Sequence, residues 1–438
     1  MTNQNDLLLR LLQRLNEPAG RYADLDRYYE GRQPLAYLSP EAKTALGKRF
    51  GILASNIPRL AVTALAERLR ITGFTGDPQL WADWVRNDLD QFSGVAHREA
   101  LLLGDSFAIV WADAAGRPLV SVESARQVSV LTDPGTREIV AGIKRWEDKA
   151  ANQTHAVLYL PDRLVRLRAE QTGAVATGFT ITDEIPNPLG VVPLVNLRNS
   201  DRILADWGTS EIDDLKPLVD AVNKLLVDMM TTSEYVGRPR RWATGIELTE
   251  EPVLDENGEP VLDDDGEPVT REVNPIPEGD RAMISEQADT KFGQLASADL
   301  GGYEAAMRVL ISQIMAVSTL PAHYLGTLTD TPPSADALRA AEASLTARAE
   351  ARQHMFGRSW EQVAKLIIAV RDGADPRLID DIRVQWADAA TRSVAQEADA
   401  VVKLYQARLL PQAYALGKLG YPDDEIAKIV ATPIPEVA

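Results

Sequence analysis

Apolar and polar positions follow two different periods along this chain. Residues 5–16 and 20–30 predict two short helices, the second, RYADLDRYYEG, closing at Gly31 with Pro34 just beyond. Ser55, Asn56 and Pro58 are helix-start signals, and Leu60, Ala61, Ala64, Leu65 and Leu69 then recur at helical spacing, predicting a helix over 55–70. The texture is mixed from Ile71. Residues 80–103 predict one further helix, carrying Trp81, Trp84, Leu89 and Phe92 and ending before Gly104. The period then drops to two. SFAIVWAD, LVSVES, VSVLTD, IVAGIKRWED, HAVLYLP and RLVRLRA, separated by turns such as AAGRP and PGTRE, predict a sheet of short strands. The Pro-punctuated NPLGVVPLVNLRN (187–199) closes it.

Helical spacing returns at Ser210, which forms a capping-box pattern with Asp213. Leu215, Leu218, Val219, Val222, Leu225, Leu226, Met229 and Met230 make an apolar stripe ending near Gly237, with Pro217 in the first turns. Such a stripe is ordinarily core packing. Residues 238–295 read as a separate module. GRPRRWATG leads into a short repeat, EPVLDENG, EPVLDDDG, EPV (251–269), whose Asn257-Gly258 and Asp265-Gly266 pairs predict small hairpins. A helix over 301–319 is stopped by Pro321. The bare loop GTLTDTPPS (326–334) precedes an alanine-rich run, ADALRAAEASLTARAEARQ, with Ser334 as N-cap. That helix can continue to about Asp372, roughly 58 Å at ~1.5 Å per residue, and its bulky residues, Phe356, Trp360, Val363 and Leu366, come late. The tail predicts a strand, RVQWAD, and short helices over 391–407, 411–418 and 423–430.

Composition narrows the function. A length of 438 residues predicts two to four domains. There is no cysteine, which excludes disulfides and thiolate metal sites and fits work or assembly in a reducing cytoplasm. No apolar run is long enough to span a membrane, and the N-terminal segment, interrupted by Asp6, Arg10 and Arg14, reads as an amphipathic helix and not a signal peptide. The net charge of −18 disfavours tight phosphate binding but is compatible with letting DNA slide past. No nucleotide-binding, hydrolase or zinc-protease signature is present. The four histidines, His97, His155, His323 and His354, lack paired spacing and read as surface or packing residues, so no metal or cofactor is expected. Asp263, Asp265 and Gly266 fit part of a calcium loop, but Val261 stands where its first Asp belongs; turn chemistry accounts for the acids. Arg238, Arg240 and Arg241 beside Trp242 fit either a nucleic-acid or partner contact or, preferably, pairing with the acidic repeat, which has ten acids and no Lys or Arg between Ile246 and Thr270.

The succession of these segments resembles the portal proteins of tailed bacteriophages, the siphovirus type, over essentially the whole chain. YYEGRQPL from Tyr28, SNIPRLAVTALAERLRITGF (55–74), GDSFAIVWADAAGRP (104–118), NPLGVVPLVNLRN, the Asp220-x-x-Asn223 helix within 210–235, and LPQAYALGKLGYPDDEIAKI (410–429) carry the likeness. The resemblance implies an α+β, mainly α fold. Its parts would be N-terminal helices and an α/β wing (1–208), a first stem helix (209–237), a clip (238–295), a second stem helix (296–325), a tunnel loop (326–333), a long helix (334–372) and a crown (373–438). It implies a ring, dodecameric in the family, at one capsid vertex, through which double-stranded DNA passes without sequence reading. A large terminase, capsid or scaffold proteins and head–tail adaptors would be its partners, with no membrane and no catalysis of its own. On this reading Leu218, Val222, Leu225 and Met229 belong to the stem, and Arg238, Arg240, Arg241, Trp242, Asp255 and Asp263 to the clip contact.

Elementary physics agrees with that reading. A ring needs a heterologous interface that closes, and Ala340, Ala343, Ala347 and Ala351 would let neighbouring helices approach closely. Thr327, Thr329, Asp330, Thr331 and Ser334 offer no cation, so a loop built from them would guide a duplex without gripping it. The competing readings are another phage head protein without a channel, a metal-dependent hydrolase using Asp263–Asp265, and a sequence-specific DNA binder. The last two are disfavoured by the missing histidine–carboxylate constellation and by the acidic balance.

Overall fold

The computed structural model describes residues 4–36, 54–237, 241–245, 249–254, 258–263, 266–273, 289–294, 301–326, 334–390, 394–419, 421 and 423–432. The chain forms two compact units, one of residues 1–34, 54–219 and 311–438, the other of residues 35–53 and 220–310.

In the first unit, α1 (Gln4–Asn16), α2 (Ala19–Tyr29) and α3 (Ile57–Ala66) precede β1 (Ile71–Thr75), α4 (Leu80–Arg86) and α5 (Leu89–Leu103). Eight strands follow: β2 (Asp105–Ala112), β3 (Pro118–Ser124), β4 (Val128–Thr132), β5 (Ile139–Asp148), β6 (Gln153–Tyr159), β7 (Arg163–Ala169), β8 (Thr180–Pro186) and β9 (Leu194–Arg198). β4 to β8 form an antiparallel meander, and β3-β2-β9 a second, three-stranded sheet. Alternation gives the meander one apolar face. Leu8, Leu11 and Leu12 of α1 bury against Ala141, Ile143, Ala156, Leu158, Val165 and Leu167 on that face. The opposite face carries Trp146, His155 and Arg168 in register across three strands.

A capping box opens the next helix: the Ser210 amide donates to Asp213 Oδ2 (3.3 Å) and the Ile212 amide to Ser210 Oγ (3.3 Å). After a 3-10 turn at Asp213–Leu215 the chain enters α6 (Lys216–Gly237) and leaves the first unit within it; it returns within α7 (Gly301–Ser318). The long helix α8 (Ala335–Asp372) then packs on β2, β3 and β9. β14 (Arg383–Trp386) pairs with β1 and also packs on α8, before α9 (Val394–Gln406), α10 (Gln412–Lys418) and α11 (Asp423–Ala431).

Phe356, Trp360, Val363 and Leu366 are all buried, as the late bulky residues of α8 predict. Trp360 stands edge-on to Trp84, and its indole N–H donates to His97 Nε2 (2.7 Å). His97 Nδ1 therefore carries the proton and faces the Leu69 carbonyl (3.1 Å), while the ring stacks on Phe356. His97 is a packing histidine, fully satisfied as the neutral imidazole.

Two expectations are corrected. Residues 80–103 are two helices, because Asp88 adopts a left-handed conformation (φ 54°) that re-aims the chain and lets both Trp84 and Leu89 be fully buried. Strand β8, TITDEIP, was absent from the strands expected: it is an edge strand with almost no buried side chain, so it has no apolar alternation to read.

The second unit holds the predicted hairpins. β10 (Arg241–Thr244) pairs with β13 (Lys291–Gln294), and β11 (Thr249–Pro252) with β12 (Thr270–Val273). The repeat folds as a closed triangle. The Val253 amide donates to the Val269 carbonyl, Val261 to Val253 and Val269 to Val261, each at 2.8 Å. Two sides of the triangle are tight hairpins bridged at Leu254–Pro260 and Leu262–Pro268, and β11-β12 opens from the third corner. Gly258 and Gly266 supply the positive φ, 84° and 83°, that the tight turns demand. Within this unit α6 and α7 meet through Thr232 and Tyr303, whose hydroxyls lie 2.9 Å apart.

Burial pushes the His97 imidazole down to about 3, with a nearby Arg98 charge acting the same way. The unfolded chain takes up this proton below about pH 6.5, whereas the folded chain refuses it until about pH 3. This group's contribution is therefore complete above pH 6.5 and declines as pH falls, by about 2 kcal/mol between pH 6.5 and 5. Urea unfolding of wild type and His97→Gln should show the wild-type advantage shrinking over that interval.

Candidate functional site

The segment singled out as a DNA-facing loop begins where α7 ends. Ser318 Oγ donates to the Ile314 carbonyl (2.6 Å) and accepts from the Leu320 amide (3.3 Å), while Thr319 turns left-handed (φ 59°). A 3-10 turn at Ala322–Leu325 follows, closed by Gly326 at φ 73°. On the far side Ser334 caps α8 as predicted, its hydroxyl accepting from the Ala337 amide (3.2 Å). Thr327, Thr329, Asp330 and Thr331 lie outside the described residues.

Both flanks of that loop are held by one polar cluster. Arg68, from the end of α3, donates to Glu342 Oε2 (3.0 Å) on α8 and to the Tyr324 hydroxyl (3.4 Å) in the 3-10 turn. His323 Nε2 lies 3.3 Å from the other oxygen of Glu342. Arg348 adds a bond from α8 to the Val317 carbonyl (3.2 Å). The start of α8 and the turn after α7 are thus tied to each other and to α3.

A second cluster lies further along α8. Glu211, nearly fully buried, receives Arg348 (2.5 Å), Arg352 (2.8 Å) and the amide of Asn199 (3.0 Å). Arg352 also makes a two-pronged bond to Asp201, at 2.6 and 3.0 Å, which holds the Asp201 carboxyl below its usual range. At the far end of α8, Arg371 bridges Asp77 (2.5 Å) and Asp83 (3.0 Å).

α8 therefore has two sides. Glu342, Leu345, Ala349, Arg352, Gln353, Phe356 and Trp360 are buried in the chain's own first unit. Ala340, Ala343, Ala347 and Ala351 share the opposite side and are all exposed. Of the other expected site residues, Val222 is buried, and Leu218, Leu225 and Met229 are half-buried. Trp242 lies in β10 opposite Gly293, where a Cβ would meet the indole at 2.5 Å. Arg241 pairs in register with Gln294. Asp263 Oδ1 accepts from the Glu267 amide (3.0 Å), the turn bond its sequence context called for. Arg238, Arg240 and Asp255 lie outside the described residues. Sequence reasoning missed Arg68, Glu211, Glu342, Arg348 and Arg352. The one available signal was the i, i+4 spacing of Arg348 and Arg352, on the same side as Leu345 and Phe356.

Comparison with known proteins now bears on this architecture. The family described as "Phage portal protein, SPP1 Gp6-like" matches residues 8–431. The portal protein of Mycobacterium phage L5 is 31% identical over 386 residues, covering 83% of this chain and 75% of the relative. That of Mycobacterium phage D29 is 30% identical over the same shares. The chain belongs to the phage portal protein family, and so is a structural protein of the virion with that family's role in DNA packaging. Solved structures give a distant likeness. The neck of a native gene transfer agent particle, computed with C12 symmetry, has a TM-score of 0.46 at 14% identity over 92% of this chain and 99% of that one. The neck of an empty particle, computed with C6 symmetry, has a TM-score of 0.49 at 12% identity over 92% and 93%.

Removing Glu211 takes the carboxylate from Arg348 and one of the two carboxylates that hold the buried Arg352, which keeps Asp201. Glu211→Ala should cost about 2–4 kcal/mol in urea unfolding. Arg352→Met should cost less, about 1–3 kcal/mol, since Glu211 keeps Arg348 and Asn199.

Proposed function

We propose that this protein assembles into a closed ring, a dodecamer as in its family, at one vertex of the capsid, and that genomic DNA is packaged and ejected through the centre. The observation that carries the reading is the division of α8. Its bulky side is satisfied inside its own chain, while a line of alanines more than two turns long stays uncovered. Small side chains let backbones come close, and a head-to-tail contact repeated by rotation closes into a ring. The clamped flanks of residues 327–333 support a guiding loop there, with Thr327, Thr329, Asp330 and Thr331 facing the duplex. A wall without cations offers phosphate no ion pair, so the DNA would be centred by confinement and not held.

On this reading 209–237 and 296–325 are the stem helices, with Leu218, Val222, Leu225 and Met229 packing along the first. Residues 1–208 form the wing, 334–372 the long wing and channel helix, and 373–438 the crown. Residues 238–295 are the clip, where Arg238, Arg240, Arg241, Trp242, Asp255 and Asp263 would meet a large terminase during packaging and head–tail adaptors afterwards. Capsid or scaffold proteins would surround the ring, which assembles in the host cytoplasm before entering the virion. The chain supplies no catalysis; the terminase does.

Electron microscopy of the purified protein should give rotationally symmetric rings with an open centre; discs without a channel would refute the reading. Asp330→Lys places a cation in the loop and should slow packaging in an assay with terminase and DNA. Unchanged packaging in that variant would remove the loop from the DNA path.

A further inference from the structure

Between β9 and α6 the chain makes a loop whose ends are stapled. The Thr209 amide donates to the Asn199 carbonyl (2.6 Å), and the Asn199 side-chain amide donates to the Thr209 carbonyl (2.7 Å). The base is held further by the Gly208 amide on Asp105 (2.7 Å) and by Arg21 on the Gly208 carbonyl (3.1 Å). Gly208 and Gly104 cross so closely that a Cβ on Gly208 would lie 1.8 Å from the Gly104 oxygen. One side of the loop is gripped by Arg198 and Arg14, which both donate to the Asp206 carbonyl (2.7 and 2.6 Å). The other side is gripped by Arg352 on Asp201. A closed loop of this kind, built on internal bonds, is a frequent carrier of function.

What this scaffold presents is two aliphatic side chains. Ile203 is 77% exposed and Leu204 92%. Beside them Arg202 is exposed and has no carboxylate partner among the described residues. Nothing in the loop's own bonding requires a branched aliphatic at either position. Resting on the ring reading above, we infer that Arg202, Ile203 and Leu204 form a contact knob between subunits, with a second copy of this chain as the occupant. Charge argues for a copy of itself. A lone arginine beside an apolar tip is complementary to an acidic surface, and a second copy, with a net charge of −18, offers one. Position argues the same way. Through Asp201 and Arg352 the loop is anchored to α8 one residue beyond Ala351, the last of its exposed alanines. The order inside the loop is already maintained by its own chain, so little conformational freedom is lost on docking.

The test uses the full-length protein with a photo-crosslinking phenylalanine analogue at position 204, and the variant Ile203→Ser/Leu204→Ser. Irradiation of the assembled protein should link position 204 to a peptide of another copy, identified by mixing isotopically light and heavy chains. The double variant should keep the wild-type thermal unfolding of the single chain. Its assembly midpoint, followed by light scattering, should rise at least about tenfold, the loss expected when one aliphatic leaves an interface. Arg202→Glu should raise the midpoint too, and more at low salt than at high. Rings that form from the double variant at the wild-type concentration overturn the knob and leave the ring standing, as do crosslinks confined to one chain or made only to another virion protein. A wild-type chain that stays monomeric at every concentration overturns both.

Discussion

One buried carboxylate fixes the frame of the first unit. Glu211 sits at the capped entry to α6 and accepts from two arginines of α8 and from the asparagine that ends β9. Burying a charge is costly unless its partners are excellent, and here they come from three different segments. The arrangement is satisfied in only one relative placement of β9, the start of α6 and the middle of α8. Apolar packing by Phe356 and Trp360 provides the bulk of the contact. The bond from Trp360 to His97 and the ionic cluster each tolerate little sliding along the helix, so both fix its register.

Periodicity decided what could be read from the amino acids. Elements with a strong period were legible: the meander strands β4 to β7, α6, and the long helix down to its cap at Ser334. Both corrections arose where local pattern is silent. Asp88 breaks a helix by adopting a conformation that its composition alone does not announce. β8 is an edge strand whose side chains, Ile181 included, are almost all exposed, held by its neighbour and not by burial. The pairing of β1 with β14 spans most of the chain and has no signature at either end. Of the candidate site, the alanine line and the cap were visible in advance. Arg68, Glu342 and Glu211 were not, because an ion pair joining distant segments leaves no spacing to recognise.

The histidines illustrate how a residue type misleads without its surroundings. His97 has two polar partners and an aromatic on either side, which could be mistaken for a prepared catalytic imidazole. Both of its nitrogens are fully engaged and it has no exposure, so it is a polar piece of the core. His323 lies at the surface end of the Arg68–Glu342 cluster and belongs to the scaffold of the loop flanks.

The valine triangle of the second unit places a limit on how this part of the chain can change over time. Three backbone amides each donate to the next carbonyl and the third returns to the first, so the cycle has no free end to extend. A slip in replication that adds or drops one octapeptide leaves every local turn intact, since each copy carries its own Gly. It nevertheless changes the number of members in the cycle, so the three amide–carbonyl bonds cannot all be kept as they stand. Repeats usually vary in number easily; this one is counted by its own hydrogen bonds.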